Sequence, residues 1–289
     1  MACVTCVATP SDRMPQLQAY LIHHHDPARL AERQAIGLLL QQLGIPLTAI
    51  SEQPPLQPLP PGWWARWWVL RGNQARLAAD FAHRRLRQPQ RRAELLAREA
   101  WVRWKQLWQL LGCAEEQLAS AWRQLQVEAI VSAKHGQAWR LALQAGADAA
   151  LVFEDDVAVT AASLQRLEAL IQALPPLLQR YPQLFCDLAG GYPLEQVVPL
   201  PLALPARAPI EWLLPGVYTN TACAYLVSRP LLEAWQRVEQ RRPGLAGLAI
   251  DHRINRASAV GAEAAVSGHW REPPFRHGSF CGLARSWQL

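Results

Sequence analysis

Leu151-Val152-Phe153-Glu154-Asp155-Asp156-Val157 carries the strongest fold signal in the chain. Three apolar residues run straight into three acids, after an Ala- and Gly-rich approach over 145–150. A short apolar run bounded by turn signals reads as a buried strand, typically of a parallel sheet. In open α/β sheets, ligands bind beyond the carboxyl ends of such strands. Three neighbouring carboxylates repel one another there, so a positive partner is expected among them. Mg²⁺ and Mn²⁺ prefer oxygen ligands, and Mg²⁺ often takes one or two carboxylates together with substrate phosphates. The functional reading is a metal–diphosphate site. The plain reading is an acidic strand-to-helix turn in which Asp156 or Thr160 caps a helix from about Ala161.

Upstream, Leu17–Ile22 reads as a first strand, followed by His23-His24-His25-Asp26-Pro27, a helix over about 28–43 and a second strand over 45–50. Successive side chains diverge, so the three histidines read as a solvated loop rather than a metal site, while Arg29 or Arg33 could meet a phosphate. A helical stretch over 115–145 carries Lys134 and His135 ahead of the acidic strand, with His135 readable as a hydrogen-bonded structural residue. Downstream, 161–174 reads as an amphipathic helix ended by Pro175-Pro176, and 184–189 as a strand closed by Gly190-Gly191. The proline-rich stretch 193–209 suits a lid. A polar turn and strand cover 217–227, and an apolar strand over 245–251 ends at Asp251, whose plain reading is a helix N-cap. Strands alternating with helices predict a mostly parallel α/β sheet flanked by helices, in a single domain spanning 1–289.

The chain has 289 residues, 51% apolar and 18% charged, with net charge +6 and pI near 9.3. This is enough to bury a large core and fits a polyanionic partner. A proline-rich break over 54–62 leads into a helical insertion over about 62–112 that carries Trp63, Trp64, Trp67, Trp68, Trp101, Trp104 and Trp108. Residues 66–105 hold 11 Lys/Arg against 3 Asp/Glu. The block reads either as a subdomain packed through its tryptophans or as a peripheral membrane contact through 63–108. Nucleic acid is an unlikely partner, because no recognisable module accompanies the charge. Cys3 and Cys6 form a lone CxxC, and Cys186 and Cys223 sit in apolar runs as small core residues. With no signal-like start and no apolar run near the roughly 20 residues of a span, the expected location is cytoplasmic, peripheral at the inner face of the membrane.

In order along the chain, LQAYLIHHHDPARLAER, VSAKHGQAW, LVFEDDV, FCDLAGG, TNTACAYLVSR, LAIDHRIN and EPPFRHGS resemble glycosyltransferase family 25, the group of lipopolysaccharide-type sugar transferases and collagen galactosyltransferases. The Trp/Arg block interrupts the resemblance as an insertion. The likeness implies a GT-A-type, Rossmann-like fold and a nucleotide-sugar donor, here a UDP-sugar. It also implies Mn²⁺ or Mg²⁺ bridging the donor diphosphate, and inverting transfer to a glycan or lipid-linked acceptor. On that resemblance Glu154 and Asp156 hold the metal, and Asp155 helps through the metal shell or the ribose. Lys134 and His135 contact donor or phosphate, and Thr219, Asn220 and Thr221 meet sugar or acceptor. Inversion needs a base for the acceptor hydroxyl, and Asp251 is the candidate. His269 or His277 could complete the metal shell, or His277 could touch phosphate. The sequence departs from the family in HHHDP, where Asn-Leu is usual, and in His277, where glutamine is expected. Two other readings remain open at this point. One is a degenerate transferase fold serving as a basic, Trp-rich membrane- or polyanion-binding protein, and the other is a different divalent-metal phosphoryl-transfer enzyme.

Overall fold

The apolar runs of the sequence become strands of one sheet in the computed structural model, which describes residues 14–52, 54–192, 209–262 and 264–282. Strands β1 (Leu17–Ile22), β2 (Leu47–Ile50), β3 (Ala149–Glu154), β5 (Leu184–Asp187), β6 (Trp212–Pro215), β7 (Ala224–Ser228) and β8 (Val266–His269) assemble in the order β2-β1-β3-β7-β5-β8-β6. A small second sheet pairs β4 (Val157–Val159) with β9 (Phe275–His277). β1, β2, β3, β5 and β8 run one way; β7 and β6 run the other. The sheet is therefore mixed. The antiparallel β7, wedged between β3 and β5, is what the alternation of strands and helices did not reveal.

Helices cover both faces: α1 (Leu30–Gln42), α2 (Trp63–Arg87), α3 (Arg92–Leu111), α4 (Glu115–Gln144), α5 (Ser163–Arg180), α6 (Arg229–Arg241) and α7 (Ile250–Gly261), with a last turn α8 (Gly278–Cys281). Because strand side chains alternate, Leu151 and Phe153 of β3 pack with Ile36, Leu40, Leu167 and Leu170 on one face. Ala150 and Val152 join Trp139, Tyr225, Trp235 and Ile254 on the other. Each large side chain buried this way contributes about 1.5–3 kcal/mol.

Three local expectations are corrected. α5 does not stop at Pro175-Pro176 but continues to Arg180. Prolines remove helical N–H donors and crowd preceding carbonyls, yet Leu167, Leu170, Leu174 and Leu177 form one buried stripe whose burial outweighs that cost. The stretch 245–251 is not a strand. Pro243 and Gly247 bound a 3₁₀ turn, and Asp251 lies in the first turn of α7 behind the N-cap Ala249, where a carboxylate meets the positive end of the helix dipole. Third, the tryptophans at 63–68 and 101–108 are exposed, so the insertion is not packed through them. No helix among the described residues is long and apolar enough to cross a membrane. The proposed lid over 193–208, Cys3, Cys6 and Trp287 lie outside the described residues.

Candidate metal and transfer site

The carboxyl ends of β1, β3, β5 and β8 and the start of the opposed β7 meet at one edge of the sheet. Here lie His23–His24 after β1, Glu154–Asp156 at the end of β3, Asp187 at the end of β5 and the turn Thr219–Cys223 before β7. The first turn of α7 delivers Asp251 to the same edge: its Oδ1 accepts from Ala222 N at 3.0 Å, and the Thr219 hydroxyl donates to its carboxylate. β9 delivers His277, which pairs in register with Val157, while Gly278 N donates to Asp156 O at 2.7 Å.

Each acid of the triplet has a different surrounding. Glu154 faces inward, where its Oε1 is 2.9 Å from His135 Nε2. His135 Nδ1 lies 2.8 Å from the Tyr225 hydroxyl, which also accepts from Trp139 Nε1 at 2.8 Å. Only one proton order satisfies this buried row: Trp139 N–H donates to Tyr225, Tyr225 O–H to His135 Nδ1, and His135 Nε2–H to Glu154. Burial, and then the Arg253 charge, hold His135 well below the usual histidine range, so the ring is neutral. Burial, and then the neighbouring acids Asp156, Asp251 and Asp155, push Glu154 well up. His135 thus orients Glu154 rather than contacting a donor.

Asp155 turns toward the first βα loop. Its Oδ2 is 3.2 Å from His24 Nδ1 and 3.8 Å from Arg33 Nη1. The histidine loop is therefore not simply solvated, since His24 packs its ring against the Asp155 carboxylate. Lys134 donates from Nζ to His23 O at 2.6 Å, and burial lowers its pKa against the raising effect of Asp155 and Glu154. The cavity between these residues has a free volume of about 10 Å³, room for a single water. Arg29 is buried, and its Nη1 has no hydrogen-bond partner among the described residues.

Asp156 is buried, and its Oδ1 likewise has no hydrogen-bond partner among the described residues. An orphaned buried carboxylate oxygen is costly, and a cation would relieve it. Asp156, Cys223 and His277 place ligand atoms within 4.8 Å of one another. Glu154, paired with Asp156 on sequence grounds, is not part of this group. Burial, and then Asp156 and Glu154, push the Cys223 thiol well up, so it presents no thiolate, and a soft sulfur suits neither Mg²⁺ nor Mn²⁺. His277 Nδ1 accepts from Ser279 N at 3.2 Å, which puts the proton of a neutral ring on Nε2, 3.7 Å from Asp156 Oδ2. That polarity fits donation to a phosphate oxygen better than ligation. The donor set thus fits a hard cation held by one carboxylate, with substrate phosphates supplying further oxygens.

Two open cavities lie at this edge, one lined by His277 and the other by Asp251. A groove of about 740 Å³ is lined by Arg166, Arg271, Arg276, His277, Gly190 and Phe280, among others. A second, of about 190 Å³, is lined by Asp251, Thr219, Asn220, Thr221, Asn255 and, from α2, Ala79 and His83. Gly190 and Gly191 lie close to their neighbours: a Cβ would come within 2.7 Å of the Asn220 amide or the Phe280 ring, so those side chains would have to shift. Thr221 has φ 70°, an unusual conformation for a β-branched residue and a mark of backbone strain of the kind that clusters at functional sites.

Sequence reasoning missed Asp187, Cys223 and the arginines of the groove. Asp187 accepts from Asn220 N at 2.6 Å and is pushed up by burial. Its signal was present, because Leu184–Asp187 runs from apolar residues into one acid as the β3 stretch does. His269, offered as an alternative ligand, contacts Ser267 Oγ at 3.1 Å on β8 and is not in the cluster. No protein-family model matches the chain, and no curated protein matches it.

Proposed function

We propose that the chain is a metal-dependent glycosyltransferase of the inverting kind, moving a sugar from a nucleotide-sugar donor, a UDP-sugar, to a glycan or lipid-linked acceptor on a GT-A-type scaffold. The observation that carries the reading is the orphaned Oδ1 of Asp156 at the carboxyl edge, in a residue whose neighbour His277 lines an arginine-containing groove and whose edge of the sheet also holds a cavity with a second, separate acid. Asp156 is the residue that would hold Mn²⁺ or Mg²⁺. When bound, the cation stabilises the negative charge gathering on the departing diphosphate. The arginines of the groove and His277 Nε2–H add donors for phosphate oxygens, and Glu154, fixed by His135, holds the end of β3 in place beside Asp156.

Asp251 takes the proton of the acceptor hydroxyl. Burial raises its pKa above the usual aspartate range, toward the pH at which a general base is most effective. The Ala222 N–H and the Thr219 hydroxyl hold its carboxylate in one orientation. Thr219, Asn220 and Thr221 line the same cavity and give it polar groups for sugar or acceptor hydroxyls.

Thermal denaturation across a panel of nucleotide sugars, with and without Mn²⁺, tests this. A Mn²⁺-dependent rise in Tm with one UDP-sugar, followed by release of uridine diphosphate on adding acceptor, is the expected result. Stabilisation by inorganic phosphate or a nucleoside triphosphate alone, with phosphate release, would instead favour phosphoryl transfer.

A further inference from the structure

We infer that α2 and α3 form a docking end for an anionic lipid bilayer. The two helices pair antiparallel. Arg66 near the start of α2 donates to the carbonyls of Leu110 and, at 3.0 Å, of Cys113 at the end of α3. Arg85, far along α2, pairs with Glu99. This register gathers Trp63, Trp64, Trp67 and Trp68 at the same end as Trp104 and Trp108, away from the connecting turn. Ala65 and Val69 are the buried side of α2, so the tryptophans project from the opposite side. Trp63 is 65% exposed, Trp64 55% and Trp108 57%. Neighbouring rings are 6.1 Å apart in Trp63–Trp67 and 5.5 Å apart in Trp104–Trp108.

Each tryptophan offers about 150–250 Å² of burial, and soluble chains rarely leave such a concentration open to water. Charge selects the occupant. Residues 66–105 carry 11 Lys/Arg against 3 Asp/Glu. Asp80, Glu94 and Glu99 are all taken by arginine partners; Arg71 and Lys105 are exposed beside the tryptophans, and Arg98 is exposed nearer the connecting turn. The Arg71 guanidinium lies 5.4 Å from the centre of the Trp68 ring. Indole rings that settle at headgroup depth, bordered by cations facing anionic phosphates, are the chemistry of a bilayer surface.

The hairpin is also physically joined to the proposed transfer site. From Trp67 to Ala79, which lines the Asp251 cavity, α2 rises about 18 Å at 1.5 Å per residue. The head of a lipid-linked acceptor seated at the bilayer would thus have to extend about 18 Å along α2 to reach that cavity. This consequence rests on the transferase reading; the bilayer docking does not.

The test uses the full chain with vesicles and no nucleotide: phosphatidylcholine alone, and phosphatidylcholine mixed with phosphatidylglycerol. Co-sedimentation and a blue shift of tryptophan fluorescence are expected with the anionic vesicles only, at least tenfold weaker at high salt. Trp64→Ser combined with Trp67→Ser should lower vesicle binding at least tenfold with unchanged circular dichroism, while Asp251→Asn binds as the parent does. Equal binding by the tryptophan variant would overturn the proposal. So would absence of binding to anionic vesicles at low salt, including the case in which the same tryptophans drive concentration-dependent self-association.

Discussion

The carboxyl edge of the sheet and the free end of the α2–α3 hairpin break the ordinary partition of side chains in opposite directions. At the edge, Glu154, Asp155, Asp156 and Asp187 are buried and Asp251 is half-buried, though acids are among the residues least often buried. At the hairpin, tryptophans that belong in a core stand in solvent. The edge compensates most of its cost internally. Glu154 has His135, Asp155 has His24, Asp187 has Asn220 N, and Asp251 has Ala222 N. Asp155 Oδ2 and Asp156 Oδ1 still have no hydrogen-bond partner among the described residues, and the hairpin indoles, with only ring–ring contacts and the Arg71 guanidinium beside Trp68, stay open to water. The contrast teaches that the sites awaiting ligand are found where local bookkeeping fails to close, not merely where unusual residues gather.

Variants that separate chemistry from surface binding sharpen this contrast most. Asp251→Asn should reduce sugar transfer by about 10²–10⁴-fold, the usual worth of a positioned base, while donor affinity stays within about twofold. Turnover equal to the parent would remove Asp251 from the mechanism. A smaller effect is expected inside the row that orients Glu154. Tyr225→Phe leaves His135 Nδ1 and Trp139 Nε1 buried without their shared hydroxyl, which should cost about 1–3 kcal/mol in denaturant unfolding. An unchanged midpoint would show that the row contributes nothing to stability.

Titration gives a third, subtler contrast. His135 is neutral when folded because burial lowers its pKa, whereas the unfolded chain protonates it near the ordinary value of about 6.5. Its contribution to stability is therefore complete above that value and lost as pH falls below it, at up to about 1.4 kcal/mol per pH unit. The raised carboxylates Glu154, Asp187 and Asp251 act in the opposite sense, losing stability as pH rises above the usual acid range. The difference between parent and His135→Asn isolates the histidine. The variant's stability should fall less steeply below pH 6.5, and identical slopes would refute a depressed His135. The smallest effect is expected at the hairpin, where Trp64→Ser should change stability by no more than about 0.5 kcal/mol; a loss of several would mean that the indole is packed after all.

Much of this architecture was legible beforehand, for identifiable reasons. Leu17–Ile22 and 151–154 read correctly because apolar runs stopped by turn or acid signals have few alternatives at that length. Asp156 follows β3 as the apolar-to-acid run implied, whereas Asp251 reaches that edge from the first turn of α7 and His277 from β9. What stayed hidden depended on partners remote in sequence. The tautomer of His135 is set by Tyr225, 90 positions away, and the role of Gly136 needs Arg253, whose guanidinium leaves 2.6 Å for a Cβ there. Asp251 was misread as the end of a strand because Leu245–Asp251 is apolar throughout, and only the 3₁₀ turn after Pro243 reveals the helix. The tryptophan spacing 101, 104, 108 gave the face correctly, yet periodicity alone does not say whether a face meets protein or solvent.

The central claim is that Asp156 carries a divalent cation for a diphosphate. Water-proton relaxation of Mn²⁺, titrated with the parent and with Asp156→Asn in the presence and absence of uridine diphosphate, addresses it most directly. The account predicts Mn²⁺ binding by the parent that tightens with the diphosphate and weakens by about 10–100-fold or more in Asp156→Asn. Equal Mn²⁺ and diphosphate affinity in the two proteins would contradict it.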